Sequence, residues 1–111
     1  MSSFRMEYSD DGCRLAVNGG LTVVLVPELQ QLLKAEVEKG TQQIVFDLAE
    51  TRMVDSSGIG LLIAASNTLS QKNGKLSVVN TTPEIFRLMQ SMRLVSRLNI
   101  SGRAAAESSH E

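Results

Sequence analysis

The sequence predicts an α/β domain: a mixed, four- to five-stranded sheet with helices packed mainly on one face. Apolar positions switch between a period of two and a helical spacing in the order β-β-α-β-α-β-α-β, which defines the class. The strand segments mostly alternate apolar with polar residues, so one sheet face is expected to be covered and the other partly wet. With 111 residues, a single domain at this size buries about two-thirds of its unfolded surface, enough for a core without metal or disulfide staples.

Phe4, Met6 and Tyr8 alternate with Arg5, Glu7 and Ser9 as a half-buried strand, and Asp10-Asp11-Gly12 is a turn signal. Leu15 and Val17 continue as the second strand of a hairpin, with Cys13 on the Leu15 face as a small buried hydrophobe. Asn18-Gly19-Gly20 breaks the pattern. After the β-branched stretch Thr22-Val23-Val24, Pro27 suits a first helical turn, Leu29, Leu32, Leu33 and Val37 follow at helical spacing, and Gly40 ends the helix. Lys34, Glu36, Glu38 and Lys39 read as its solvated face.

Ile44, Phe46 and Leu48 form one face of the next strand, with Val45 and Asp47 on the other. A second helix is expected from about Ser57 to Lys72, with Ile59, Leu62, Ile63, Ser66 and Leu69 as its core stripe, stopped by Asn73-Gly74. Leu76 and Val78 mark a strand, and Thr82-Pro83-Glu84 opens a helix carrying Ile85, Phe86, Leu88 and Met89. Val95 to Ile100 reads as a short last strand. One domain is therefore expected over residues 1–100, followed by a small, polar tail over 101–111 that is a frayed helix or disordered.

Composition excludes several functions. Eleven basic against twelve acidic residues give net charge −1, which disfavours direct nucleic-acid binding. Aromatics are 4% with no Trp, leaving little material for stacking. Cys13 is the only cysteine, so neither an intramolecular disulfide nor a CxxC site exists. His110, the only histidine, lies next to the C-terminus, so Ser-His or Cys-His catalysis lacks a base in the domain body. There is no Gly-x-Ser-x-Gly elbow, Walker loop or GxGxxG fingerprint. The chain reads as no enzyme and needs no cofactor or metal. Without an apolar leader or a run long enough to span a bilayer, it reads as soluble and cytoplasmic.

One stretch is unlike ordinary core: Met53-Val54-Asp55-Ser56-Ser57-Gly58-Ile59-Gly60-Leu61-Leu62. Asp55, Ser56 and Ser57 are all capable helix N-caps, so one reading is a polar cap followed by small residues for close packing. The other uses the same physics. A helix N-terminus presents free N–H groups and partial positive charge, and so tolerates an added phosphate. Gly58 and Gly60 each cost roughly 1 kcal/mol in a helix relative to alanine, which implies access or close approach in return. Leu61, Ala64 and Thr68 project opposite the core stripe as a weakly apolar strip suited to a protein partner.

Asp55-Ser56-Ser57-Gly58-Ile59-Gly60 resembles the signature of STAS domains, in particular the small anti-sigma factor antagonists. The resemblance extends over nearly the whole chain, through Gly19, the strand Ile44 to Leu48, Asn73-Gly74 and Met92-Arg93-Leu94. It implies a partner-switching role in signal transduction and transcription regulation, controlled by reversible phosphorylation. Carried over, Ser56 is the acceptor, Asp55 its acidic neighbour, Ser57 a supporting hydroxyl or secondary acceptor, and Gly58 and Gly60 shape the contact surface. The implied partner surface is Thr22, Ile59, Leu61, Ala64 and Thr68. The implied partners are a histidine-kinase-like Ser/Thr kinase or anti-sigma factor and a PP2C-type phosphatase.

The chain departs from the family at Gly19-Gly20-Leu21-Thr22, where Gly-Glu-Leu-Asp or a close variant is frequent. Gly20 and Thr22 remove both acidic positions, which leaves the client open among a sigma-factor regulator, a chemotaxis protein and other pathways. The alternative function is an unphosphorylated accessory subunit docking on a partner such as an ABC transporter ATPase through the same helix. The oligomeric state stays open.

Overall fold

In the computed structural model, which describes residues 3–102, ten elements follow one another. They are β1 (Phe4–Tyr8), β2 (Gly12–Val17), β3 (Gly19–Leu21), α1 (Val26–Glu38), β4 (Gln43–Asp47), β5 (Thr51–Val54), α2 (Ser56–Gln71), β6 (Lys75–Thr81), α3 (Pro83–Ser91) and β7 (Ile100–Gly102). Five strands form a mixed sheet in the order β1-β2-β4-β6-β7, and β3 pairs with β5 in a separate two-stranded sheet. Only β1–β2 is antiparallel; β2–β4, β4–β6 and β6–β7 are parallel.

The alternation in the sequence is the alternation of burial. Leu15 and Val17, Ile44 and Phe46, and Leu76 and Val78 point to the helix-covered face and are buried. They meet Leu29 and Leu33 of α1, Leu62 and Leu69 of α2, and Ile85 and Met89 of α3 in one core. Cys13 joins this face, and burial there, followed by the nearby Glu36 carboxylate, pushes its thiol up to about 11.

On the opposite face one carboxylate ties three strands. Asp47 Oδ2 accepts from Arg14 Nη2 at 2.9 Å, and its Oδ1 accepts from Asn80 Nδ2 at 3.1 Å and the Ala49 N–H at 3.0 Å. Burial alone would raise the Asp47 carboxyl, but these donors outweigh it and hold it below its ordinary value.

The three helices end with the same backbone device. The residue past each cap is left-handed, Gly40 at φ 93°, Asn73 at 63° and Arg93 at 60°. The following N–H then reaches back: Thr41 to Glu36, Gly74 to Leu69, Leu94 to Met89.

Three expectations are corrected. Gly19–Leu21 is not a break but a strand, paired with the equally unanticipated β5. Such short segments carry no periodicity, and the glycines mask the first. Val95 to Ile100 is not a strand; a helical turn closed by Leu98 N–H to Leu94 O ends at left-handed Asn99, and β7 starts only at Ile100. β7 extends to Gly102, and residues 103–111 of the expected tail, with His110, lie outside the described residues.

Glu36 does not face solvent. It is buried, accepting from Tyr8 Oη at 3.1 Å, Thr41 Oγ1 at 2.8 Å and Lys39 Nζ at 3.0 Å. A charge at a helical core position is read from sequence as exposed because one of its partners, Tyr8, comes from a distant strand.

Candidate functional site

The serine turn stands where β5 enters α2. Asp55 is the N-cap in an extended conformation, and its Oδ1 accepts the Gly58 N–H at 2.9 Å. Its Oδ2 accepts the Val23 N–H at 3.0 Å, tying the turn to the segment between β3 and α1. Bonds first from Gly58 and then from Val23 hold the carboxyl below its ordinary value, so it is an anion at neutral pH. Asp55 therefore does the capping for which three side chains were eligible.

Ser56 is left exposed at the first position of α2, and Ser57 is half-buried. The two glycines divide. Gly58 is buried against β3, where a Cβ would run into the Leu21 carbonyl, whereas Gly60 is exposed with open space around it. Of the two expected returns, Gly58 thus gives close approach and Gly60 gives access.

Of the expected partner residues, Leu61, Ala64 and Thr68 line one groove, while Thr22 and Ile59 lie apart from it. Thr22 is beside the turn: it is half-buried, and its carbonyl accepts the Leu25 and Val26 N–H groups at 2.9 Å each. Ile59 and Leu61 are buried. Leu61 was expected on the exposed side, but α1 packs over that flank of α2 and covers it. Ala64 and Thr68 remain exposed and line a groove of about 390 Å³ between α1 and α2, floored by Leu33, Ile44 and Leu61. Along α2 the groove runs from Leu61, five residues or roughly 7.5 Å from Ser56 at helical rise, to Lys72 just past the helix end.

The side chains that do flank the serine turn were not foreseen. Val24 is 88% exposed, Val23 61% and Met53 59%. Met53 pairs with Gly20 in the small sheet. The only sequence signal was a valine pair outside any apolar period, and it reads as a lead into the helix. Among the described residues, no His/Cys/Asp/Glu group could hold a metal ion, and no helix is long and apolar enough to cross a membrane.

Comparison with known proteins agrees with this architecture. The chain is 29% identical over 92 residues to an anti-sigma-B factor antagonist of Staphylococcus epidermidis, covering 83% of this chain and 85% of that protein. It is 29% identical over 85 residues to the anti-sigma-B factor antagonist of Staphylococcus aureus, covering 77% and 79%. Its fold is similar to an anti-sigma factor antagonist from Mycobacterium paratuberculosis, with TM-score 0.78, 23% identity and coverage of 93% and 87%. It is also similar to the Bacillus cell fate determinant SpoIIAA in its phosphorylated form, with TM-score 0.74, 18% identity and coverage of 97% and 99%. The family model of the STAS domain matches residues 3–105, nearly the whole length, and the chain belongs to the STAS domain family.

Proposed function

We propose that the chain is a non-catalytic, cytoplasmic switch of the anti-sigma factor antagonist type, whose binding to a Ser/Thr kinase or anti-sigma partner is set by phosphorylation of Ser56. The observation that carries this reading is the division of labour at the start of α2. Asp55 caps the helix, and Ser56 stands exposed at the first helical position with no capping duty. A serine there has the reach of a phosphoacceptor and the helix end to support the product.

In the forward step, Ser56 Oγ bonds to the γ-phosphorus of ATP held by the kinase, its proton passes to a base of the kinase, and ADP leaves. In the reverse step, a PP2C-type phosphatase adds water across the phosphoester, which returns the Ser56 hydroxyl and releases phosphate. The added group brings about −1.5 to −2 charges. Buried unpaired in an interface, it would weaken the complex by several kcal/mol.

Calorimetry against the cognate anti-sigma kinase tests this. Ser56→Asp should weaken binding at least thirtyfold, about 2 kcal/mol, while Ser56→Ala binds as the unmodified chain and accepts no phosphate. Equal affinity for the unmodified chain and Ser56→Asp would sink the switch. The accessory-subunit reading draws its support from the α1–α2 groove lined by Leu61, Ala64 and Thr68. It would be favoured by an unmodified Ser56 together with stable copurification with an ABC ATPase.

A further inference from the structure

Asp55 serves two segments at once. One carboxylate oxygen holds the first turn of α2 through the Gly58 N–H, and the other holds the Val23 N–H of the segment before α1. That segment carries Val23 and Val24, two of the most exposed aliphatic side chains among the described residues. An apolar pair on a short turn would gain by folding back onto the surface. Bonds from Leu25 and Val26 N–H to the Thr22 carbonyl, and from Val23 N–H to Asp55, keep it turned outward. Of these, only the bond to Asp55 depends on a side chain, so it alone can be withdrawn without changing the backbone path elsewhere.

We infer that Asp55 is the latch through which a phosphate on Ser56 reaches this apolar tip: the modified serine displaces the carboxylate from the Val23 N–H and loosens the Val23–Val24 segment. The inference rests on reading Ser56 as the phosphoacceptor. The phosphate stands on the residue next to Asp55, repels its charge, and offers three strong acceptor oxygens to the free amides of the first helical turn. The Gly58 N–H is one of those amides, and Asp55 already holds it. The two carboxylate oxygens share one rigid plane, so a carboxylate displaced from Gly58 loses its aim on Val23. Modification then changes the shape of the apolar tip as well as the charge beside it.

The test is amide hydrogen exchange by NMR on the full chain with phosphoserine installed at position 56 during translation. The unmodified chain and Asp55→Asn are measured alongside. Asparagine remains a good N-cap through its one oxygen but places an NH2 where Val23 needs an acceptor. The Val23 amide should exchange at least tenfold faster in both altered proteins, with Phe46 in the central sheet unchanged. Acceleration in Asp55→Asn but not in the phosphoserine protein would overturn the coupling, and acceleration in neither would overturn the latch. Because the phosphate is installed without a kinase, a Ser56 that no kinase modifies would defeat the proposed function while leaving this result standing.

Discussion

The Leu21 carbonyl occupies the space in which a side chain on Gly58 would begin. The helix carrying the serines is thereby drawn against the small β3–β5 sheet, and the Asp55 N–H donates to that same carbonyl at 3.3 Å. Gly60, two residues on, meets nothing. Two glycines that look alike in the sequence should respond to alanine with opposite signs. Gly58→Ala forces backbone apart and should lower unfolding stability by about 2–4 kcal/mol. Gly60→Ala should raise it by about 0.5–1 kcal/mol through helix propensity. Urea denaturation of both variants checks the pair, and a loss at Gly60 would show that its surroundings are not open.

A second stability prediction concerns Arg93. It is the left-handed residue closing α3, at φ 60°, where α1 uses Gly40 and α2 uses Asn73. A left-handed conformation costs a residue with a Cβ roughly 1–2 kcal/mol. The Arg93 side chain is exposed, so its removal leaves no cavity. Arg93→Gly should therefore stabilise the domain by about 1 kcal/mol, which thermal unfolding would register as a rise of about 4–8 °C for a domain near this size. An unchanged or lower melting temperature would show that the arginine side chain supplies a compensating interaction.

Legibility in the sequence followed the range of each interaction. Leu15, Phe46 and Val78 were readable as core because alternation is a local property, and so were helix stops such as Gly40 and Asn73-Gly74. The Asp55–Ser56 turn was readable because cap, serine and glycines are contiguous. The burial of Glu36 was not, because its partner Tyr8 lies 28 residues away. The pairing of Gly20 with Met53 was equally hidden, and with it the apolar flank of the serine turn. Leu61 was misplaced because a helical wheel knows one core face, whereas α2 is covered on a second flank by α1.

Two well-partnered carboxylates away from the serine turn contribute to the acid limb of stability. Asp47 and Glu36 both have folded pKa values held below their ordinary ones, against the opposing push of burial, by the donors around them. An acid depressed in the folded state contributes stability that is fully present above its unfolded pKa, about 3.9 for Asp and 4.3 for Glu. That contribution is lost as pH falls through the depressed value. Stability should thus be flat from neutral pH to about 5 and fall below about 4. Asp47→Asn and Glu36→Gln should each flatten this fall while lowering stability at pH 7 by about 1–3 kcal/mol. Urea midpoints between pH 2.5 and 7 that fall as steeply in the variants as in the parent would exclude these two groups as its source.

A switch at Ser56 requires that the added charge be carried by a folded domain. At the first position of α2, a negative charge gains about 0.3–1 kcal/mol from the helix end, and it is opposed by the ionised Asp55 beside it at a comparable magnitude in water. The two nearly cancel, so Ser56→Asp should change the unfolding free energy by less than about 1 kcal/mol. The same preparation should lose partner affinity by the larger amount expected for an unpaired interfacial charge. Urea denaturation and calorimetry on one sample separate the two quantities. A large stability loss accompanying weak binding would mean that the substitution removes the partner site by unfolding it. A stable protein that no longer binds would place the effect at the surface formed by Ser56 and its apolar neighbours.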